Sequence, residues 1–364
     1  MIDASIEKIT NIIAHPNADR LEIATICGYP VIVSKGIHQV GEFMFYIRED
    51  AQLSGDSTKF PWQESANKYT SKSNRVKAIK LRGLTSMGLA LSLTDVGIDI
   101  KEVDSINEQI HNQETGQQYL LDNFGITHYS SESDSSNLTG KDMSSLPFGL
   151  SKSDETNVQE FFNDETGAYV PWNQPCLVTK KLDGSSMMIV CTPSGEITIC
   201  SRNHTINIEN TDSRYVMAAE SIIPLARAYA SHYNRIIALR GELTASNVQA
   251  FNINQDRLIN EGKPTFNLYG CNFPELPSIQ ESRGFYGTDY HFLKVNEQIK
   301  ELTGQSIRMV PVLETDVPMT KDLCMKYINM PKSFGEGVVF NFSSGIGSCK
   351  AKSLDYICKQ SEVL

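Results

Sequence analysis

Short apolar runs separated by turn residues dominate the first part of the chain. Five runs have the length and the β-branched or aromatic content typical of strands, and several are bounded by glycine. These runs are Ile23–Ile26, Pro30–Val33, Phe43–Ile47, Val76–Leu81 and Leu89–Leu93. Five short strands over residues 1–98 predict a small Greek-key β-barrel of the OB type.

From position 147 onward the pattern mixes two periodicities. Helical spacing runs from Ser213 to His232 and from Asp289 to Leu302, and Pro224 is expected to interrupt the first helix. Strand-like runs surround these helices, and Met187–Cys191 with Glu196–Cys200 predicts a hairpin. Residues 145–364 are therefore predicted to form an α+β domain of antiparallel sheets and helices.

Charge separates these two parts. The chain of 364 residues has a net charge of −10, yet residues 1–98 hold 11 basic and 10 acidic side chains, and residues 171–364 hold 19 of each. Residues 99–170 hold 3 basic and 14 acidic side chains. The stretch 99–144 is also rich in Ser, Asn and Gln, which predicts an acidic linker that is at least partly mobile. The balanced flanking parts permit phosphate-binding clefts, because local fields attract polyanions.

Several classes of protein are excluded by simple patterns. No run of 18 apolar residues exists, which argues against a transmembrane helix, and the N-terminus lacks the features of a signal peptide. The eight cysteines occur singly and without metal-ligand spacing, which favours reduced thiols and argues against a structural zinc. We therefore expect an intracellular, cytoplasmic protein that does not bind a membrane.

Basic residues are concentrated between Lys68 and Arg82, where six occur without an acid. Such a stretch is either a solvated strand face or a surface that contacts phosphates, and the sequence gives the two about equal weight.

The sharpest chemical feature is Lys181-Leu182-Asp183-Gly184, which ends a strand-like run. Four further elements follow in order: Ser201-Arg202-Asn203, a strand carrying Glu242, the aromatic run Phe266–Gly270 with Tyr269, and Glu336-Gly337 followed by Lys350 and Lys352. Strand periodicity places Lys350 and Lys352 on one face. Each element alone reads more simply as surface charge or a core aromatic, but their joint order indicates a phosphate-handling site.

At these positions the sequence resembles the covalent nucleotidyltransferase superfamily of ATP-dependent ligases and capping enzymes, over about Pro147 to Ser353. Ser201-Arg202-Asn203 looks like the form found in RNA ligases. Only twelve residues follow Lys352, so the C-terminal OB domain of DNA ligases and capping enzymes is not expected. An N-terminal OB-like domain, the lead-in Phe148–Glu155 and Gln159 are instead similar to the RNA ligase family typified by the Deinococcus and Naegleria enzymes.

The resemblance implies three steps: Lys181 attacks the α-phosphorus of ATP, AMP passes to an RNA 5′-phosphate, and a 3′-hydroxyl displaces AMP. Lys350, Lys352 and Arg202 would contact phosphates, and Lys350, Lys352 and bound metal are expected to favour the neutral amine of Lys181. Asp183, Glu242 and Glu336 would act on Mg²⁺, or Mn²⁺ in its place, through water. Tyr269, with Phe266 as second choice, would stack on adenine, and Gln159 would join the nucleotide site.

One departure and several alternatives stay open. RNA ligases of this kind often have Glu before the nucleophile, where this chain has Lys180. The preferred interpretation is an ATP-dependent RNA ligase acting in RNA repair on a nicked or bridged duplex. The alternatives are a DNA ligase, a GTP-using capping enzyme, or a non-catalytic RNA- or tRNA-binding protein with a retired ligase domain. Separately, His15–Leu21 and Val76–Gly83 resemble the tRNA-binding OB domains of some synthetases, which supports the predicted barrel more than it supports tRNA as the ligand. The oligomeric state is left open.

Overall fold

A computed structural model describes residues 2–112, 114–129, 146–150, 155–162, 172–276, 285–286, 289–342 and 347–363. The chain divides into two compact units. The first comprises Met1–Ser133, Gln159–Ala168 and Ile357–Leu364, and the second comprises Asp134–Val158 and Tyr169–Tyr356. Among the described residues, no helix combines the length and apolar character that crossing a membrane requires.

The first unit is built mainly from strands. They are β1 (Ala4–Ala14), β2 (Leu21–Ile26), β3 (Tyr29–Ser34), β4 (Phe43–Ile47), β5 (Ala51–Leu53), β6 (Ile79–Leu81), β7 (Leu84–Ser86), β8 (Leu89–Ser92) and β9 (Ile126–His128). Five of them form an antiparallel sheet in the order β3-β2-β1-β4-β8. Strands β5 and β9 pair with each other, and β6 and β7 form a hairpin.

Helices in the first unit cover part of the sequence predicted to be a linker. They are the short α1 (Gln63–Ala66) and α2 (Leu93–Val96), then α3 (Val103–His111) and α4 (Gly116–Phe124). Val103 and Ile110 of α3 and Leu120 and Phe124 of α4 are buried in the hydrophobic core beneath the sheet. The prediction of a linker is therefore wrong for residues 100–128, because apolar residues at helical spacing lie within the acidic composition. Residues 130–144 of that prediction lie outside the described residues.

Two five-stranded sheets form the second unit. The strands are β10 (Thr156–Asn157), β11 (Pro175–Lys181), β12 (Ser185–Cys191), β13 (Ile197–Cys200), β14 (Thr205–Ile206), β15 (Ile237–Thr244), β16 (Thr265–Asn272), β17 (Phe285–Tyr286), β18 (Asp289–Tyr290), β19 (Val312–Pro318), β20 (Gly337–Phe342) and β21 (Ser348–Lys352). One sheet has the order β10-β21-β20-β11-β19, and the other has the order β14-β13-β12-β15-β16. Strands β17 and β18 pair separately.

Helices pack on both sheets of the second unit. Against the β12–β15–β16 sheet lie α5 (Arg214–Ala219), α6 (Ile223–Tyr233) and α7 (His291–Thr303), and against β20 and β21 lies α8 (Lys321–Ile328). The last helix, α9 (Leu354–Val363), begins in the second unit and continues into the first. Pro224 stands at the start of α6, where a missing N–H is tolerated, so the predicted interruption is confirmed. The predicted hairpin is also confirmed, because β12 pairs with β13 from Met188–Cys200 to Cys191–Ile197.

Candidate active site

Three adjacent strands align the lysines singled out by sequence. Lys181, the last residue of β11, lies opposite Gly337 of β20, and Gly337 lies opposite Lys352 of β21. Thr179, Val339 and Lys350 form the next row with the same side-chain orientation. Lys350 is 7% exposed. The register therefore brings Lys181, Lys350 and Lys352 to one face at one end of the sheet, as the sequence predicted for Lys350 and Lys352.

Glu336 joins two of these lysines. Its carboxylate forms a close ion pair with the Lys181 ammonium, and Lys352 Nζ lies 3.8 Å from Glu336 Oε1. Burial alone would raise the pKa of Glu336, but Lys181, Lys352 and Lys350 hold it below its ordinary value. Glu336 is therefore an anion among three cations.

The charge on Lys181 is set by the carboxylates near it. Burial lowers the pKa of Lys181, but Glu336, Glu242 and Asp183 raise it well above its ordinary value. The carboxylates therefore outweigh any opposing effect of Lys350 and Lys352, and the expectation that these lysines and bound metal favour the neutral amine stays a prediction. Lys181 must lose a proton before it can act as a nucleophile.

The turn after β11 carries Asp183 into a buried position. Asp183 is 6% exposed, and its Oδ2 accepts a 2.6 Å hydrogen bond from the Tyr356 hydroxyl. Burial and the Glu336 carboxylate raise the pKa of Asp183 above its ordinary value. The next residue must be small, because a Cβ at Gly184 would lie 2.3 Å from the carbonyl oxygen of Leu243.

A segment that contains Asn254 and Asp256 forms hydrogen bonds with the backbone of the turn at Asp183. Asn254 Nδ2 donates to the carbonyl of Asp183 at 2.9 Å, and Asp256 Oδ2 accepts from the Asp183 N–H at 3.1 Å. The other oxygen of Asp256 forms a 2.7 Å ion pair with Lys180. Asn254, Asp256 and Tyr356 were missed by sequence reasoning, and none lies in a recognisable motif.

Glu242 approaches the turn from the second sheet. It lies on β15 opposite Ser186 of β12 and Asn267 of β16, and its Cγ is 3.0 Å from the position of a Cβ at Gly184. Burial raises the pKa of Glu242 to about 8, against the opposing effect of Lys181. This carboxyl is therefore poised to bind a proton or a cation.

The carboxylates that the structure describes near Lys181 do not form a ready-made site that binds a metal ion directly. Among the described residues, no three His, Cys, Asp or Glu side chains are arranged to hold a metal ion directly. Asp183, Glu242 and Glu336 nevertheless share one electrostatic environment around Lys181. Their hard oxygens fit a magnesium or manganese ion that keeps much of its water and also binds substrate phosphates.

The two aromatic candidates occupy different environments. Phe266 is 2% exposed in the core, where its ring packs beneath Gly241: a Cβ at Gly241 would lie 2.4 Å from Phe266 Cε2. Tyr269 is partly exposed at the point where the β15–β16 register shifts, and its hydroxyl lies 3.5 Å from Ser186 Oγ. Of the two rings, only that of Tyr269 has an accessible surface for stacking.

Arg202 and Gln159 are the two remaining candidates. Arg202 is exposed in the turn between β13 and β14, which Ser201 closes by hydrogen bonds with His204. Cys200 pairs with Met188, so Arg202 continues the hairpin to the level of Ser186. Gln159 is buried, and its Oε1 has no hydrogen-bond partner among the described residues. It belongs to the first unit, and its role in nucleotide binding stays a prediction.

The basic stretch of the first unit has both structural and exposed members. Arg75 forms an ion pair with Asp50 and lies 4.3 Å from the centre of the Tyr129 ring. His15 Nε2 lies 3.2 Å from the carbonyl of Leu81, and Asn17 donates to that of Arg82 at 3.1 Å. These contacts hold the β6–β7 hairpin, while Lys68, Lys72 and Arg82 are exposed.

Comparisons with known proteins agree with this geometry. A family model described as RNA ligase matches residues 174–356, which is half of the chain. A family model described as an OB-fold domain matches residues 3–93, which confirms the OB prediction. None of the curated proteins matches significantly.

Solved structures match over the full length. A Naegleria gruberi RNA ligase variant with ATP and Mn is 24% identical, with a TM-score of 0.72 and 100% of each chain covered. The same ligase with PPi is 22% identical with a TM-score of 0.73, covering 100% of this chain and 99% of that one. A variant with AMP and Mn is 23% identical, with a TM-score of 0.72 and 99% of each chain covered. The predicted fold class, an OB-like part followed by a ligase-type α+β domain, is confirmed.

Proposed function

The chain belongs to the RNA ligase family, and from this premise we propose that it is ATP-dependent and seals RNA 3′-hydroxyl and 5′-phosphate ends through lysyl-AMP and RNA-adenylate intermediates. The observation that carries the proposal is the row of Lys181, Gly337 and Lys352, with Glu336 between the two lysines. It combines a nucleophile, an acidic partner and cations at one sheet end.

In the first step the neutral amine of Lys181 attacks the α-phosphorus of ATP. A P–N bond forms, the P–O bond to the β-phosphate breaks, pyrophosphate leaves, and the nitrogen releases a proton to solvent. Lys350 and Lys352 lie on the face of Lys181 and are suited to neutralise the α-phosphate oxygens, where positioning and charge dominate catalysis. Tyr269 is the residue that we assign to stacking on adenine.

The carboxylates control the protonation of the nucleophile. Glu336 and its neighbours hold Lys181 as an ammonium, so neutralising those carboxylates favours release of the proton. Asp183, Glu242 and Glu336 would hold a divalent ion, which would supply that positive charge beside the substrate phosphates. The Naegleria ligase structures with ATP and Mn support magnesium or manganese with ATP as the cofactors.

In the later steps AMP moves from Lys181 to the RNA 5′-phosphate, and the 3′-hydroxyl then displaces AMP. Exposed Arg202 is suited to contact the RNA 5′-phosphate that accepts AMP. Exposed lysines of the OB-fold part are suited to contact the RNA backbone of a nicked or bridged duplex. Sealing of broken ends is the reaction that RNA repair requires, and we assign the enzyme to that process.

The direct test is covalent labelling. Wild type, Lys181→Ala and the control Lys263→Ala are incubated with Mg²⁺ and α-labelled ATP or GTP, then separated under denaturing conditions. Lys263 is 69% exposed and lies outside the site. We expect label from ATP in wild type and Lys263→Ala only, followed by sealing of nicked RNA.

The other outcomes of this labelling experiment contradict the proposal in different ways. Label from GTP would indicate capping chemistry. Sealing of DNA ends in preference to RNA ends would indicate a DNA ligase. Absence of label in folded protein would leave a nucleic-acid-binding protein.

A further inference from the structure

Lys180 precedes the nucleophile, and its side chain has a specific partner. Its ammonium lies 2.7 Å from Asp256 Oδ1, with the Lys180 side chain 22% exposed and that of Asp256 6% exposed. The site of contact is narrow, because a Cβ at Gly335 would lie 3.1 Å from Lys180 Cε. The Lys180 side chain is therefore committed to Asp256.

Asp256 connects this ion pair to the turn that follows Lys181. Its Oδ2 accepts the Asp183 N–H at 3.1 Å, and its own N–H donates to Asn254 Oδ1 at 3.0 Å. Asn254, which is fully buried, donates in turn to the Asp183 carbonyl. Both peptide groups of Asp183 are thereby fixed, two residues from the lysine that must meet the α-phosphorus.

We infer that Asp256 is a positioning residue that orients Lys181 for adenylation through the backbone of Asp183, and that Lys180 is the counter-ion that holds Asp256 in place. This inference rests on the proposed lysyl-AMP chemistry. Lys180 consequently has a structural partner within the protein.

The energetics predict unequal effects of the two residues. Loss of Lys180 leaves a buried carboxylate without its cation, although the hydrogen bond to Asp183 persists. Loss of the Asp256 carboxylate removes the ion pair and weakens the hold on the Asp183 N–H. Small displacements of a reacting group slow chemistry strongly, so Asp256 should matter more than Lys180.

The experiment separates adenylation from sealing. Single-turnover formation of lysyl-AMP at saturating ATP is measured for wild type, Lys180→Arg, Lys180→Met, Asp256→Asn and the Lys180→Met/Asp256→Asn double variant. The same proteins are tested for sealing of a pre-adenylated RNA nick, a step that does not use Lys181. Thermal unfolding checks that each variant is folded.

We expect Asp256→Asn to slow adenylation about 10- to 100-fold, and Lys180→Met to slow it less, while sealing of the pre-adenylated nick stays within about threefold of wild type. Lys180→Arg should retain wild-type rates. The double variant should be no slower than Asp256→Asn, because both changes act on one interaction.

The inference would be overturned if folded Asp256→Asn formed lysyl-AMP at the wild-type rate. It would also be overturned if that variant lost adenylation and sealing equally. If Asp256→Asn does not fold, Lys180→Met decides, and an unchanged adenylation rate in that variant would overturn it. Absence of lysyl-AMP in wild type would instead contradict the proposed function, so the two failures are distinguishable.

Discussion

Tyr356 donates its hydroxyl to the carboxylate of Asp183 at 2.6 Å, although the two residues are separated by 173 positions. Both side chains are buried. The bond lowers the pKa of Asp183 against the larger effect of burial. We expect Tyr356→Phe to reduce the free energy of unfolding by about 1–3 kcal/mol and to slow adenylation, as measured by denaturant unfolding and by AMP labelling.

Tyr327 provides the matched control for that prediction. Its hydroxyl donates to Glu314 at 2.5 Å, and neither residue belongs to the candidate site. Tyr327→Phe should cause a loss of stability of the same order but leave adenylation unchanged. Equal slowing by both substitutions would show that Tyr356 acts only through stability.

Glu336→Gln should make the amine of Lys181 less basic. The substitution removes the hydrogen-bonded carboxylate, one of the charges that raise the pKa of Lys181. We expect the pH at which Lys181 is half-acetylated by acetic anhydride to fall by about one unit or more. Peptide mass spectrometry measures this, with exposed Lys263 as the internal reference. An unchanged midpoint would mean that Glu336 does not control the proton.

Glu242 should make the protein less stable as pH rises. Its pKa is raised to about 8, so the folded state binds more protons than the unfolded state between about pH 4.5 and 8. Stability from this group is therefore lost across that window. Glu242→Gln should flatten the decline and raise the free energy of unfolding at about pH 8.5 by on the order of 1 kcal/mol, while adenylation falls. A steeper decline of the free energy of unfolding with pH in Glu242→Gln would contradict a raised pKa for Glu242.

His128 should give the first unit a separate pH dependence. Its Nδ1 lies 2.8 Å from Asp3 Oδ1, and this hydrogen bond raises the pKa of His128 although burial lowers it. A raised pKa means that the stabilisation is fully present below about pH 6.5 and is lost as pH rises through the folded-state value. Thermal unfolding at about pH 5.5 and 8.5 should therefore differ more in wild type than in His128→Gln. An equal pH-dependent change in thermal unfolding in wild type and His128→Gln would contradict this prediction.

The sequence predicted much of the fold but missed elements whose apolar periodicity is interrupted or lies within an acidic composition. Strand β1 was not recognised, because its pairing with β2 shifts between Ile9 and Asn11 and breaks the alternation of apolar residues. Helices α3 and α4 were hidden within an acidic composition, although Val103 and Ile110 show helical spacing. The hairpin β12–β13 and the break at Pro224 depend on short-range chemistry and were predicted correctly.

The candidate site likewise contains residues that sequence motifs indicate and residues that only the folded chain brings together. Lys181, Glu336, Lys350 and Lys352 stand in ordered motifs, and strand periodicity predicts a common face for the last two. Asp256 and Tyr356 come to Asp183 only through the folded chain, and no spacing in sequence indicates those contacts. The direction of the pKa shift of Lys181 also depends on three carboxylates from separate segments, so composition cannot give it.

The candidate site draws its groups from two different sheets. Lys181, Lys350 and Lys352 belong to the sheet that contains β11 and β21, whereas Glu242 and Tyr269 belong to the sheet that contains β15 and β16. The two sheets meet where Gly184 approaches Leu243. Both sheets therefore contribute to the charge around Lys181, so a substitution that shifts one sheet against the other alters that charge without changing any residue of the lysine row.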